Sequence, residues 1–151
     1  MKYAHLIKLT VFSYENENGK HISDAFLKFF SFNLDDNKIE LKKTNAVGFN
    51  ETKIVIIEVV LAKGYLINQF LKNISDRMDN FQKNLILSQL ESRLDSNLDF
   101  FIRFDKNSWI NEEKLILTDS GKCFHLKISI AAFPKKREIA LNVLKNLFST
   151  N

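Results

Sequence analysis

A single cysteine, Cys123, leaves this 151-residue chain unable to close an internal disulfide, and no paired Cys or His spacing supplies the ligands of a structural zinc site. Neither a disulfide framework nor a metal centre is expected, and no cofactor is implied. One proline and four glycines form no flexible linker, and no repeat or low-complexity tract interrupts the chain. The expectation is one domain over 1–151. No apolar run approaches the roughly 18 residues that cross a bilayer, and Met1-Lys2-Tyr3-Ala4-His5 leads into a strand-like run with no signal-peptide core. A cytoplasmic protein with no membrane partner is expected. P-loop, nucleophile-elbow and His-x-x-His patterns are also missing, so no catalytic residue is nominated.

What is present is ordinary in bulk: 45% hydrophobic and 26% charged residues, the balance of a globular chain. Fourteen phenylalanines stand out, although a bias toward Phe, Lys, Asn and Ile also follows from A/T-rich coding. The charge is unevenly placed. Residues 1–100 carry 13 Lys/Arg against 13 Asp/Glu, and residues 101–151 carry 9 against 5, so the whole net charge of +4 lies in the last third. Excess positive charge confined to one region points to a polyanionic partner.

Periodicity orders the elements. Residues 4–14 alternate as a strand, with His5, Ile7, Leu9 and Val11 on one face and Ala4, Leu6, Lys8, Thr10 and Phe12 on the other. Ser23 is placed to cap a helix over 24–32 that packs through Phe26, Phe29 and Phe30. A short strand at 38–43, a loop at 44–50 and a β-branched strand at 52–62 follow, the last apolar on both faces through central burial or as an interface. Amphipathic helices are predicted over 65–74 and 79–95. Strands then resume at 98–106, weakly at 114–118, and at 123–133, with a turn at 119–122. A final helix after Pro134 presents Ile139, Val143, Leu144, Leu147 and Phe148 on one side. This order implies an α+β two-layer open sandwich, a mixed or antiparallel sheet with helices mainly on one face.

Parity in the late strands isolates a candidate surface. If Phe100, Ile102 and Phe104 face the core, Phe101, Arg103 and Asp105 face away. Likewise Phe124, Leu126, Ile128 and Ile130 leave Cys123, His125, Lys127 and Ser129 outward. A ring beside a guanidinium and ammoniums suits single-stranded nucleic acid, whose bases stack and whose phosphates seek cations. The same pattern also suits a solvated face with cross-strand ion pairs. Lys135, Lys136 and Arg137 at the start of the last helix oppose its dipole unless an anion sits nearby. His5, His21 and His125 share no evident site.

The runs Arg93-Leu94-Asp95 and Phe101-Ile102-Arg103-Phe104-Asp105-Lys106, then 127–133 into Pro134-Lys135-Lys136-Arg137-Glu138, and more weakly Gly48-Phe49-Asn50, resemble an archaeal family of predicted exosome subunits or RNA-binding proteins. That family's fold is similar to a 5S rRNA-binding ribosomal protein. The chain departs from its pattern at Asn107, at Trp109-Ile110-Asn111 and in a loop reduced to Gly48. The resemblance implies RNA as the partner and Arg103, Asp105 and Lys106 as shared residues. The resulting expectation is a non-catalytic RNA-binding protein with possible partners in an RNA-processing complex. Its RNA contacts are Phe101, Arg103, Lys106, Lys127, Lys135, Lys136 and Arg137, with Asp105 orienting Arg103 or Lys106 by a salt bridge. Two alternatives stand beside it: a scaffold subunit without direct RNA contact, and a metal-dependent nuclease built on Asp95, Asp105 and His125.

Overall fold

Five strands carry the alternation just described: β1 (Ala4–Tyr14), β2 (Lys42–Val47), β3 (Lys53–Leu61), β4 (Asp99–Asp105) and β5 (Cys123–Ile130). In a computed structural model that describes residues 1–149, they pair antiparallel throughout in the order β2-β3-β1-β5-β4. One face buries Ile7, Leu9 and Val11 of β1, Ile57, Val59 and Leu61 of β3, Phe100, Ile102 and Phe104 of β4, and Phe124, Leu126 and Ile128 of β5. Helices cover that face, giving an α+β open sheet whose buried side chains join in one apolar cluster. A bulge in β1 between Ala4 and Leu6 resets its parity, so Ala4 turns inward together with Ile7.

The helices are α1 (Gly19–Leu27), α2 (Gly64–Arg77), α3 (Asn80–Ser88), α4 (Leu90–Arg93), α5 (Lys106–Glu112) and α6 (Arg137–Phe148). Asn18 rather than Ser23 starts α1, its side chain accepting from His21 N at 3.2 Å, and Ser23 lies inside the helix. Phe29 and Phe30 fall beyond the end of α1 and remain buried. Phe29 meets Trp109 at 4.3 Å and Phe124 at 4.9 Å between ring centroids. The helix expected over 79–95 is two pieces, broken where Gln89 leaves helical geometry at φ −118°. Phe81 is exposed, and Ile86 and Leu90 do the packing.

Three other expectations shift for local reasons. The first hairpin strand begins at Lys42 rather than 38, because Asp35–Asn37 forms a 3-10 turn and Lys38 adopts a left-handed φ of 56°. Residues 114–118 contribute a single bridge, Leu117 to Phe104, with Asp105 N donating to Ile116 O and Thr118 N to Arg103 O. These bonds cover the outer edge of β4. The third is α5, absent from the sequence reading. It starts directly at the end of β4, where the Asp105 carboxylate accepts from Ser108 N (2.9 Å) and Ser108 Oγ (2.7 Å). Trp109 anchors it by donating Nε1–H to Ala25 O at 2.7 Å.

Candidate nucleic-acid interface

The strand register assembles the uncovered face row by row. Phe101 of β4 lies opposite Lys127 of β5, which lies opposite Lys8 of β1. One row on, Arg103 faces His125, and His125 faces Thr10. Diagonally between the rows, the Phe101 and His125 rings stack with centroids 5.7 Å apart and planes 25° from parallel. Phe12 and Tyr14 continue the β1 side of this face.

Two recesses open on it. One, of about 380 Å³, lies over β1 and β5 and is lined by Lys8, Phe12, Tyr14, Lys122 and Lys127 among others. The other, of about 510 Å³, lies toward α4 and is lined by Gln89, Ser92, Arg93, Phe101, Thr118 and Asp119. Arg103 and His125 border both. Each volume falls in the range of small-ligand sites.

The cations here are held to different degrees. Lys8 reaches Glu58 at 3.2 Å, Lys127 reaches Asp99 at 3.6 Å and Lys122 reaches Glu17 at 3.5 Å. Arg103 is exposed and makes no carboxylate ion pair among the described residues; its Nη1 donates to Asp119 O at 3.3 Å. Burial, followed by the positive charges of Arg103 and Lys8, pushes the His125 imidazole below its ordinary pKa. Arg93 is also lowered, by burial and by Arg103, against the opposing pull of Asp119. Like charges facing one another in a half-buried recess are relieved by an anion. Burial raises the Cys123 thiol above its usual range, which keeps it protonated and disfavours a nucleophilic role.

Of the residues nominated from sequence, Phe101, Arg103 and Lys127 share this face, Lys106 meets the first recess only as a buried side chain, and Lys135, Lys136 and Arg137 line neither recess. Lys106 is 1% exposed, and its ammonium bonds Phe12 O and Glu17 Oε1, the latter at 2.9 Å. That pairing, under the Tyr14 ring, makes Lys106 an internal tie rather than a surface phosphate contact. Arg137 is also committed, donating to Glu91 Oε2 at 3.0 Å and to the carbonyls of Glu91 (2.8 Å) and Leu94 (3.1 Å) at the end of α4. Lys135 and Lys136 are exposed but line neither recess. Asp105 makes no salt bridge to Arg103 or Lys106, because its carboxylate caps α5. No group of three or more His, Cys, Asp or Glu side chains among the described residues is placed to hold a metal.

The sequence reading passed over Lys8, Phe12, Tyr14, Arg93 and Lys122. Lys8 and Phe12 already shared one side of β1 by parity; the missing information was which side is uncovered and that β1 pairs with β5.

Comparison with known proteins places the chain in a family. A family model described as RNA binding matches residues 6–130, and the chain belongs to that family. A Pyrococcus abyssi protein named RNA-binding protein PAB1135 is 22% identical over 143 residues, 94% of this chain and 92% of that protein. The crystal structure of protein AF2318 from Archaeglobus fulgidus superposes with a TM-score of 0.83 at 25% identity, covering 95% of this chain and 99% of that one. Protein SSO0741 from Sulfolobus solfataricus superposes at 0.76 with 27% identity, covering 95% and 98%.

Proposed function

We propose that this member of the RNA-binding family is a non-catalytic RNA-binding protein that acts through the uncovered sheet face. The observation that carries the reading is Arg103, a guanidinium free of carboxylate partners among the described residues, set beside the Phe101–His125 ring pair and one row from Lys127 and Lys8. Arg103 contacts phosphate by its planar fork, Phe101 stacks on a base, and Lys8 and Lys127 exchange their carboxylates for phosphate oxygens. The setting we propose is cytoplasmic, in an RNA-processing assembly of exosome type. The assembly rests on the resemblance through Arg93-Leu94-Asp95 and 101–106, as does the likeness to a 5S rRNA-binding ribosomal protein.

The test is a salt titration of binding to labelled RNA, using both a 20-mer of random sequence and a stable hairpin. About three phosphate contacts on a single strand predict a log–log slope near −2, a loss of roughly 20-fold between about 50 and about 200 mM salt. Absence of binding to every RNA at low salt refutes the reading. The same face continues from the basic rows into Phe12, opposite Ile56, and Val60, where Phe12 and Val60 are exposed; this favours, as a second reading, a protein partner in the assembly. RNA-free association of the purified chain with that partner, undisturbed by Arg103→Ala, would support it.

A further inference from the structure

The two recesses that meet at Arg103 and His125 differ in chemistry, and the difference bears on which form of RNA they accept. The recess over β1 and β5 is lined by Lys8, Lys106, Lys122, Lys127 and Arg103, and the carboxylates that pair with its lysines, Glu58, Glu17 and Asp99, are not among its lining residues. Phe12 and Tyr14 add aromatic surface to the lining, the Tyr14 ring having Lys122 Nζ at 5.2 Å from its centroid. Such a lining takes phosphate and sugar. The recess toward α4 mixes donors and acceptors: Arg93, Gln89, Ser92, Thr118 and the Asp119 carboxylate stand around the half-exposed Phe101 ring. Gln89 holds Arg93 through its amide oxygen, at 2.9 Å from Nε and 2.6 Å from Nη2, so the guanidinium forms a fixed wall. Asp119 is balanced by Arg93 at 3.9 Å. A ring with a mixed polar rim reads the edge of a base, and a recess whose charged lining is lysine and arginine does not.

We propose that this face binds a single-stranded RNA segment across two adjoining subsites: a nucleobase sits on Phe101 in the Asp119-bearing recess, its neighbour's phosphate and ribose occupy the Lys8, Lys122 and Lys127 recess, and Arg103 holds the phosphodiester between them. This rests on the RNA-binding reading and narrows it to unpaired nucleotides. Bases inside a duplex stack on one another and cannot lay a face against Phe101, whereas an unpaired base can turn out of the strand. Asp119 adds a base preference, because a carboxylate accepts two parallel N–H groups from the Watson–Crick edge of guanine and fewer from the other bases. Guanine is therefore the favoured occupant of the Phe101 recess.

The experiment compares a single-stranded hexaribonucleotide containing guanine, the blunt duplex formed with its complement, and hexauridylate, each by fluorescence polarisation at about 50 mM salt. The single strand is expected to bind at least tenfold tighter than the duplex. Phe101→Ala should weaken the single strand about tenfold, and Phe101→Trp, which keeps a ring, should restore it. Asp119→Ala should lower affinity for the guanine hexamer and leave hexauridylate unchanged. Phe101 and Asp119 are both outside the core, and an unshifted melting curve for each variant shows that the fold is intact. Equal binding of duplex and single strand, or a Phe101→Ala protein of unchanged affinity, overturns the two-subsite proposal while leaving RNA binding itself standing. Failure to bind any RNA overturns both.

Discussion

Phe101 and His125, side by side on the uncovered face of β4 and β5, hold their rings 25° from parallel at 5.7 Å. They are diagonal neighbours rather than a directly opposed pair, since Phe101 faces Lys127 and Arg103 faces His125. That offset brings a ring, a guanidinium and an ammonium within two rows of one sheet. Cross-strand geometry of this kind arises wherever the pleat is regular, so the site is a property of pairing and parity together.

Arg103→Ala should reduce RNA affinity by about tenfold and flatten the salt slope by roughly 0.7, the share of one phosphate on a single strand. Thermal stability should stay within about 0.5 kcal/mol, as expected for an exposed residue outside the core. Arg103→Lys keeps the charge and loses the fork, so its affinity should fall between the two. A polarisation titration across salt concentrations measures all three.

Lys106→Met separates a structural lysine from a phosphate contact. Removing the ammonium leaves Glu17 and Phe12 O without their buried partner, and stability should drop by on the order of 3 kcal/mol in urea denaturation. The salt slope for RNA should not change. A flattened slope with unchanged stability would restore Lys106 to the contact surface.

Asp105→Ala should cost about 1 kcal/mol through loss of the α5 cap, and Asp105→Ser should recover most of it. Neither change should alter RNA affinity beyond twofold. If Asp105→Ala weakened RNA binding tenfold at unchanged stability, the capping role would not be its main one.

His125 provides a pH signature. Its folded pKa lies below the unfolded value of about 6.5, so between the two the unfolded chain binds more protons than the folded one. Stability is therefore undiminished above about pH 6.5 and declines as pH falls through that window toward the folded pKa. An NMR titration of the imidazole should show a depressed midpoint in the free protein and an upward shift on adding RNA, whose phosphates favour the charged ring. An unmoved midpoint in saturating RNA would place the strand away from His125.

Legibility in the sequence followed the apolar periods. β4 buries every second residue and β5 does so from Cys123 to Ile128, so alternation alone sorted Phe101, Arg103, His125 and Lys127 from Phe100, Ile102, Phe124 and Leu126, whereas Ser129, expected outward, is buried. Helix α5 was invisible because Lys106-Asn107-Ser108-Trp109-Ile110-Asn111-Glu112 has no repeating apolar stripe. It exists because Asp105 caps it and Trp109 has Ala25 O and Phe29 to meet, contacts made 84 and 80 residues away in sequence. The helix predicted over 79–95 continued past its real break for the converse reason: apolar spacing ran on through Gln89, and the local backbone did not.

Along β4 and most of β5, the amino-acid sequence by itself determined which side chains are displayed, because a two-residue period leaves no freedom once one face is apolar and no bulge intervenes. The uneven charge of the last third was likewise settled there. Only the tertiary structure decided which displayed cations have partners, since ion pairing depends on neighbours through space. Lys106 was withdrawn by Glu17 across the fold and Arg137 by Glu91, while β1 pairing with β5 brought Lys8 and Thr10 beside Lys127 and His125. The basic C-terminal block became a sheet-face site because those long-range contacts sorted its charges, and sequence spacing carries no record of them.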